Sequence, residues 1–260
     1  MSGIHECIQS LRAENIGEII VVDAHSTDGT AEAALELADK LVSDTGIGLG
    51  NARNMGISES TKDFVLNMGS DNVMPPGQLQ RMLQYLTKGN FQGVSAQTKV
   101  VGSGYLASGL NAWRSGRFQP GPRAVIGTPT LLRASMVKAH PYDSSAVFSD
   151  DSELCLRWQE ELDARFAISD AFVYEIGKVS WSELVTRCKM YGASDHEIFE
   201  NGRRAGWSRG RRYQSILHPL NSDFLTPIKN LSVQESILNT PFLALFTALR
   251  YTFWINETRR

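Results

Sequence analysis

Short runs of β-branched residues alternate with helical patterns over the first hundred residues, and this alternation constrains the fold most. The run "EIIVVDA" (18–24) indicates a buried strand, and "TDGTAEAALELADK" (27–40) places apolar residues at helical spacing. The same order of strand and helix repeats twice: "KLVSD" is followed by the helical "NARNMGISEST", and "DFVLNMGSD" by the helical "PGQLQRMLQYLTKG". A last strand follows in "FQGVSAQTKVV". Helices of this length form βαβ crossovers, so we predict an α/β fold with a largely parallel sheet flanked by helices.

Composition and charge narrow the class of protein. The chain has 260 residues, of which 42% are hydrophobic and 21% charged, ordinary values for a globular protein with a substantial core. The formal net charge of −2 lacks the basic excess of nucleic-acid-binding proteins, so we expect no nucleic-acid partner. Cys7, Cys155 and Cys188 match no metal-ligand spacing, and the first residues lack a secretory signal pattern. We therefore expect a cytoplasmic protein.

Two aspartates follow strands at the sheet edge where α/β proteins bind ligands. Asp23 ends "IIVVD", Asp71 ends "FVLNMGSD", and Arg53 and Asn54 lie on the element between them. An aspartate after a strand is often only a helix cap or turn residue, but two together favour a site. The chain has neither G-x-x-x-x-G-K-[ST] nor a G-x-G-x-x-G that opens a helix after a strand. Bound phosphates would need another counter-charge, such as Mg²⁺ held by a carboxylate.

Four segments resemble the successive signatures of family 2 glycosyltransferases of the GT-A fold: "IIVVDAHSTDGT", "GNARNMGI", "FVLNMGSDNVMPPGQL" and "FSDDSELCLRW". The resemblance implies a GT-A-like, Rossmann-like domain over residues 1–200, with a nucleotide-binding part at 1–100 and an acceptor part at 101–200. A helical C-terminal extension follows at 201–260. The implied reaction moves a sugar from a nucleotide-diphosphate donor, most commonly a UDP-sugar, to an acceptor hydroxyl by metal-assisted inverting displacement.

The resemblance also implies roles at the nucleotide. Asp23 matches the aspartate that contacts the base or ribose, and Arg53 matches a basic residue near the nucleotide, with Asn54 shaping its turn. Ser70 is assigned to nucleotide binding, and Asp71 matches the last aspartate of the D-x-D motif that holds Mg²⁺ or Mn²⁺.

Further roles concern the acceptor and the proton transfer. Asp151 matches the general base, with Asp150 in the place of the usual preceding glutamate, although acidic residues also favour the first turn of a helix. Thr128 is expected near the acceptor. Trp113 and Arg123 belong to a Gly-, Ser- and Pro-rich stretch (101–130) that we interpret as an acceptor-lining loop or an ordinary connection.

Two departures from the family pattern lead to an alternative function. Gly69 replaces the first aspartate of D-x-D, and the chain starts at the helix "IHECIQSLRAEN" that follows the family's first strand. Without that strand, neighbouring strand edges lose a partner, which favours strand replacement or a homo-oligomer. The alternative is a catalytically impaired accessory protein. A nucleotidyltransferase is less supported, because the first strand carries no glycine-rich basic loop.

The C-terminal region leaves several partners open. The segment "RRAGWSRGRR" (203–212) concentrates five arginines beside Trp207, suited to a diphosphate, to anionic lipid headgroups, or to solvent alone. The apolar run "PFLALFTALRYTFWI" is interrupted by Arg250 and is too short to span a bilayer. It could pack on the domain, pair with a second subunit, or give peripheral membrane contact through the C-terminal helix. The acceptor is a sugar or a lipid-linked molecule.

Overall fold

The computed structural model of the chain describes residues 2–145 and 150–258. The chain divides into two compact units. The α/β unit comprises Met1–Thr98 and Pro120–Gly177, and the helical unit comprises Lys99–Gln119 and Lys178–Arg260. The helical unit therefore takes in residues on both sides of the boundary that the sequence suggested at residue 200.

Within the described residues, six strands have four residues or fewer, and β5 and β8 are longer. They are β1 (Ile20–Asp23), β2 (Lys40–Ser43), β3 (Phe64–Asn67), β4 (Asn72–Val73), β5 (Gly93–Val100), β6 (Gly121–Arg123), β7 (Thr130–Arg133) and β8 (Phe166–Glu175).

The helices alternate with the strands in the first half of the chain and dominate the second half. They are α1 (Ser2–Ala13), α2 (Thr30–Leu37), α3 (Leu49–Glu59), α4 (Gln78–Lys88), α5 (Gly104–Arg117), α6 (Ala134–Ala139), α7 (Asp150–Leu162), α8 (Trp181–Arg204), α9 (Arg209–Pro219), α10 (Thr226–Asn230) and α11 (Val233–Thr258). A π-helical turn (Leu220–Leu225) joins α9 to α10.

The α/β unit contains a mixed sheet. Strands β1 and β2 pair in parallel, and a larger sheet has the order β3-β7-β5-β8-β4, with β6 also paired to β8. Strand β7 runs antiparallel to both β3 and β5, and β4 and β6 run antiparallel to β8. The predicted α/β architecture is confirmed. The pairing is less parallel than predicted, because β7, β4 and β6 reverse direction without a crossover helix that the sequence pattern could reveal.

The backbone hydrogen bonds divide the strands into two separate sheets. Strand β1 is an edge of the small sheet, and β3 is an edge of the large one. All four residues of β3 and the first three of β1 are only half buried, although their side chains are mostly apolar. Both strands still pack on one core with α1, whose Ile4, Ile8 and Leu11 are buried.

The helical unit has its own core, built around α5, α8 and α11. Phe242, Phe246, Trp113, Leu184 and Cys188 pack together there. The stretch predicted as an acceptor loop thus contains a regular helix, α5, because Leu106, Leu110 and Trp113 repeat at helical spacing despite the surrounding glycines and serines. No helix within the described residues is long and apolar enough to cross a membrane.

Candidate active site

Arg53 is the centre of a cluster of charged side chains in the α/β unit. It projects from α3, and its Nη1 lies 2.7 Å from Asp150 Oδ2 and donates to Asp151 Oδ1. Its Nη2 donates to Thr128 Oγ1 at 2.7 Å. The aspartates occupy the first turn of α7, so three separate segments of the chain meet at one guanidinium. Four residues proposed from the sequence therefore lie together.

Tyr142 completes this cluster, and no sequence pattern pointed to it. The Arg53 guanidinium carbon lies 5.1 Å from the centre of the Tyr142 ring. The Tyr142 hydroxyl donates to Asp151 Oδ1 at 3.5 Å and accepts from Asn67 Nδ2 at 3.1 Å. Because Asn67 is the last residue of β3, these contacts fix the cluster at the carboxyl end of that strand.

Asn54 binds the backbone of the loop that carries Tyr142. Its Nδ2 donates to the Tyr142 carbonyl at 2.8 Å, and its Oδ1 accepts from the Tyr142 amide at 3.0 Å. Nδ2 also lies 3.2 Å from Ser144 Oγ. Asn54 lies inside α3 rather than in a turn, and its amide group is engaged with the loop that carries Tyr142. It holds that loop in place.

The electrostatics of the cluster follow from its burial. The side chains of Arg53, Asp150 and Asp151 are 11%, 6% and 20% exposed. Burial raises the pKa of Asp150, although Arg53 acts against this rise. Burial alone would lower the pKa of Arg53, but the charge of Asp151 and the other nearby acidic groups raise it overall. Burial, followed by the charge of Asp151, also raises the pKa of Tyr142, so its hydroxyl stays protonated.

Asp23 lies at the carboxyl end of β1 and is largely buried. Its Oδ2 accepts a hydrogen bond from the Ser26 amide at 3.0 Å, the local turn contact expected of an aspartate after a strand. A Cβ on Gly56 would lie 3.0 Å from Val22 Cγ2, so the end of β1 packs against α3 one turn beyond Arg53. Asp23 therefore ends a strand that packs on the helix carrying Arg53.

Asp71 and Asn72 present oxygen atoms toward the space beside Gly69. A Cβ on Gly69 would lie 2.6 Å from Asp71 Oδ1 and 3.5 Å from Asn72 Oδ1. Ser70, which lies between Gly69 and Asp71 in the sequence, is exposed. One carboxylate and one amide oxygen fit the way in which Mg²⁺ combines one or two protein carboxylates with substrate phosphates. No group of three or more His, Cys, Asp or Glu side chains suited to a metal occurs among the described residues.

Glu175 lies opposite Asn72 in the β4–β8 pair and is 7% exposed. Directly opposite residues of an antiparallel pair project to the same face of the sheet. Glu175 therefore adds a second carboxylate to the neighbourhood of Asn72.

Two of the residues expected at the acceptor are placed elsewhere. Trp113 is 1% exposed in the core of the helical unit, where its ring packs on Phe246 at 4.7 Å and its Nε1 donates to Asp223 Oδ1 at 3.1 Å. It cannot offer a face to a sugar, so that prediction is wrong. Arg123 is exposed on β6 opposite Phe166, nine residues along β8 from Glu175. At about 3.4 Å per residue, that is roughly 30 Å along the strand from Asn72.

Comparison with known proteins identifies the family. The sequence model described as Glycosyl transferase family 2 matches residues 2–135, which is half of the chain. The chain belongs to glycosyl transferase family 2. The matched residues of this family 2 glycosyltransferase include Asp23, Arg53, Asp71 and Thr128, whereas Asp150 and Asp151 lie beyond them. Phe148 and Ser149, from the last signature, lie outside the described residues.

Solved structures of similar fold include TarS from S. aureus. The structure of TarS 1–349 with UDP is 17% identical, with a TM-score of 0.50 over 96% of this chain and 85% of that one. TarS 1–349 with UDP-GlcNAc is 16% identical, with a TM-score of 0.52 over the same shares. At this identity the likeness shows the fold, and the GT-A fold predicted from the sequence is confirmed.

Proposed function

We propose that this glycosyltransferase moves a sugar from a nucleotide-diphosphate donor, a UDP-sugar, to an acceptor hydroxyl by inverting displacement assisted by a divalent metal. The observation that carries the proposal is the Arg53 cluster, which joins Asp150, Asp151 and Thr128 at the carboxyl end of β3. Ligands of open α/β sheets bind at this edge. The UDP and UDP-GlcNAc complexes of TarS support the choice of donor.

In this proposal Asp151 is the catalytic base. Its Oδ1 is held by Arg53 and Tyr142, which leaves Oδ2 to take a proton from the acceptor hydroxyl as the new glycosidic bond forms. Asp151 Oδ2 lies 3.7 Å from the position that a Cβ on Gly127 would take. The missing side chain at Gly127 keeps that approach open. The more deeply buried Asp150 acts as a positioning residue that orients Arg53.

The nucleotide and the metal are assigned to the other two aspartates. Asp23 takes the base or ribose, with Ser70 and Arg53 near the phosphates. Asp71 and the Asn72 amide oxygen would hold Mg²⁺ or Mn²⁺, and the bound metal would neutralise the charge that gathers on the departing diphosphate. Asn54 contributes indirectly by holding Tyr142. Thr128 stays assigned to the acceptor, a sugar or a lipid-linked molecule.

Thermal unfolding with ligands tests the donor and metal assignments. UDP with Mn²⁺ should raise the midpoint by mass action, since about 100-fold excess over Kd adds roughly 2.7 kcal/mol. Asp71→Ala should lose the Mn²⁺-dependent part of this rise. The absence of any response to UDP, GDP or dTDP, with and without Mn²⁺, would contradict the proposal and favour the accessory protein.

Transfer kinetics test the catalytic base. Asp151→Asn should keep donor-induced stabilisation while turnover falls by about 10²- to 10⁴-fold, the usual contribution of a general base. Asp170→Asn provides a matched control, because this aspartate is exposed in a surface pair with Arg81. Near-normal turnover in Asp151→Asn would remove this residue from the role.

A homo-oligomer and peripheral contact with a membrane remain predictions. The half-buried edges of β1 and β3 support the first, because a second chain could cover them. Light scattering after size exclusion measures it, and a monomer at all concentrations would contradict it.

A further inference from the structure

The hydroxyl of Tyr142 lies between the proposed catalytic base and the end of a strand. Tyr142 is 2% exposed, so its hydroxyl makes its hydrogen bonds within the protein rather than with bulk water. The hydroxyl lies 3.1 Å from Asn67 Nδ2 at the end of β3 and 3.5 Å from Asp151 Oδ1 on α7. It therefore connects these two elements through a single side chain.

The two partners of the hydroxyl fix the direction of its proton. An amide nitrogen only donates, so the Tyr142 oxygen accepts from Asn67 Nδ2. A carboxylate only accepts, so the Tyr142 proton is directed to Asp151 Oδ1. Burial raises the pKa of Tyr142, so the hydroxyl keeps this proton throughout the range in which carboxylates titrate. The hydrogen bonds thus run in one direction, from Asn67 through Tyr142 to Asp151.

Tyr142 is held at its backbone and at its ring. The Asn54 amide group binds the carbonyl and the amide of Tyr142, at 2.8 Å and 3.0 Å. The Arg53 guanidinium carbon lies 5.1 Å from the ring centre. A donor that is already in place needs no reorganisation when charge develops beside it. Hydrogen bonds in ligand-free active sites are often long and shorten when substrate binds, so a distance of 3.5 Å to Asp151 suits this role.

Two donors on the same oxygen orient the Asp151 carboxylate. Arg53 Nη1 and the Tyr142 hydroxyl both bind Oδ1. Rotation of the carboxylate would break both contacts, so Oδ2 stays near the open approach at Gly127. Arg53 also contacts Asp150, whereas the proton of Tyr142 is directed to Asp151 alone.

The same hydrogen bonds connect the base to the strand that leads to the proposed metal ligand. Asn67 is the last residue of β3, and Asp71 follows four residues later. The turn between them is closed by the Asn72 amide, which donates to the Gly69 carbonyl at 3.0 Å. Asp151 and the metal-binding turn are therefore linked through one short chain of contacts.

We propose that Tyr142 is a positioning residue of the transferase: its hydroxyl orients the base Asp151 and holds it relative to the end of β3. Asn67 acts on the base through Tyr142. This inference rests on the proposed function, in which Asp151 takes the proton of the acceptor hydroxyl. It adds that the base keeps a fixed position relative to the turn that carries Asp71.

Carbon NMR of the aspartate carboxyl groups in the full chain tests this role without a substrate. The signal that disappears in Asp151→Asn belongs to Asp151. A hydrogen bond to the charged form of a carboxylate favours that form, so Tyr142→Phe, which keeps the ring, should move the titration of Asp151 to higher pH by about one unit. Asn67→Ala should move it in the same direction, with no further shift in the Tyr142→Phe/Asn67→Ala variant, because the two residues act in series.

The other titratable groups that interact with Asp151 are the same in the wild type and in Tyr142→Phe. They are Arg53 on α3 and Asp150 and Cys155 on α7. Arg53 stays charged, and burial raises the pKa of Cys155 to about 12, so the thiol stays neutral. The signal of Asp150, which also titrates, is identified separately in Asp150→Asn.

Release of UDP from UDP-GlcNAc, with water as the acceptor, gives a second measurement. In Tyr142→Phe, kcat should fall roughly tenfold, because the base is less well oriented, while KM for the donor stays the same. The loss of turnover at acid pH should begin about one pH unit higher than in the wild type.

Tyr251→Phe is the matched control. The Tyr251 hydroxyl, in the helical unit, donates to the Ile216 carbonyl at 2.7 Å and accepts from the Leu220 amide at 3.4 Å. Its removal should lower the thermal midpoint and leave the titration of Asp151 and kcat unchanged. If Tyr142→Phe also lowers only the midpoint, its role is purely structural and the proposal is overturned. A shifted titration in a protein that binds no nucleotide would refute the transferase function alone, whereas an unshifted titration in an active transferase would refute the role of Tyr142 alone.

Discussion

Replacing Arg53 by glutamine should destabilise the protein strongly, because it leaves two buried carboxylates without their cation. Arg53 contacts both Asp150 and Asp151, whose side chains are 6% and 20% exposed. Removing one partner from a buried ion pair costs about 3–5 kcal/mol. At about 2–4 °C per kcal/mol for a chain of this size, the thermal midpoint should fall by roughly 6–20 °C. Circular dichroism during heating measures this shift.

Arg12→Gln is the matched surface control. Arg12 lies 2.9 Å from Asp39, and both side chains are 41% exposed, so solvent and salt screen the pair. An exposed pair of this kind contributes about 0.2–1 kcal/mol. If Arg53→Gln lowers the free energy of unfolding no more than Arg12→Gln does, burial of the Arg53 ion pairs does not determine their contribution to stability.

The pH dependence of Arg53→Gln has a definite sign. Without the arginine, burial and repulsion by Asp151 should raise the pKa of Asp150 further above its value in the unfolded state. Protonation of Asp150 then favours folding, so the loss of stability should be full at neutral pH and should shrink as the pH falls through this raised pKa. Burial already raises the pKa of Asp150 in the native protein. Adding Asp150→Asn to Arg53→Gln should recover part of the loss at neutral pH, and a deficit independent of pH would contradict this account.

Three further predictions concern the cores. Arg250→Met should cost about 3–5 kcal/mol in urea unfolding, because Arg250 is buried against two aspartates at 2.6 Å. Gly109→Ala should destabilise the protein by about 1–3 kcal/mol, because the new Cβ would overlap the Phe242 ring. Gly210→Ala in α9, where the new Cβ would make only an ordinary contact with Ser208 Oγ at 4.0 Å, should stabilise the protein by about 0.5–1 kcal/mol. The same urea titration compares the two variants, and stability changes of the same sign would contradict the packing. Burial raises the pKa of all three cysteine thiols to about 12, so a thiol reagent at pH 8 should label them only after unfolding.

Local patterns in the sequence account for much of the fold. Strands β1 and β3 were predicted because short apolar runs bounded by turn residues favour buried strands, and α4 was predicted because its apolar residues repeat at helical spacing. Helix α5 was missed because five of its 14 residues are glycine or serine, which are poor helix formers. Its Trp113 was taken for a sugar platform, since the partner that buries it, Phe246, lies 133 residues later in the sequence.

The candidate site was predictable residue by residue but not as an arrangement. The family resemblance proposed Arg53 and Asp151, yet their direct contact spans 98 residues and depends on how α7 packs. Tyr142 carries no local signal, because a lone tyrosine before a helix fits a core position equally well. Asn54 was expected at a nucleotide, and only the structure shows its amide bound to the backbone of Tyr142.

The divided sheet affects how the molecule moves. Asp23 belongs to the half with β1 and β2, and Asp71 to the half with β3, and no backbone ladder joins the two halves within the described residues. Amide hydrogens of β1 and β3 should therefore exchange with deuterium through small local openings. A substrate that contacts both aspartates would restrict the motion of the two halves relative to each other. The entropy lost in that restriction would reduce the net binding free energy of the substrate.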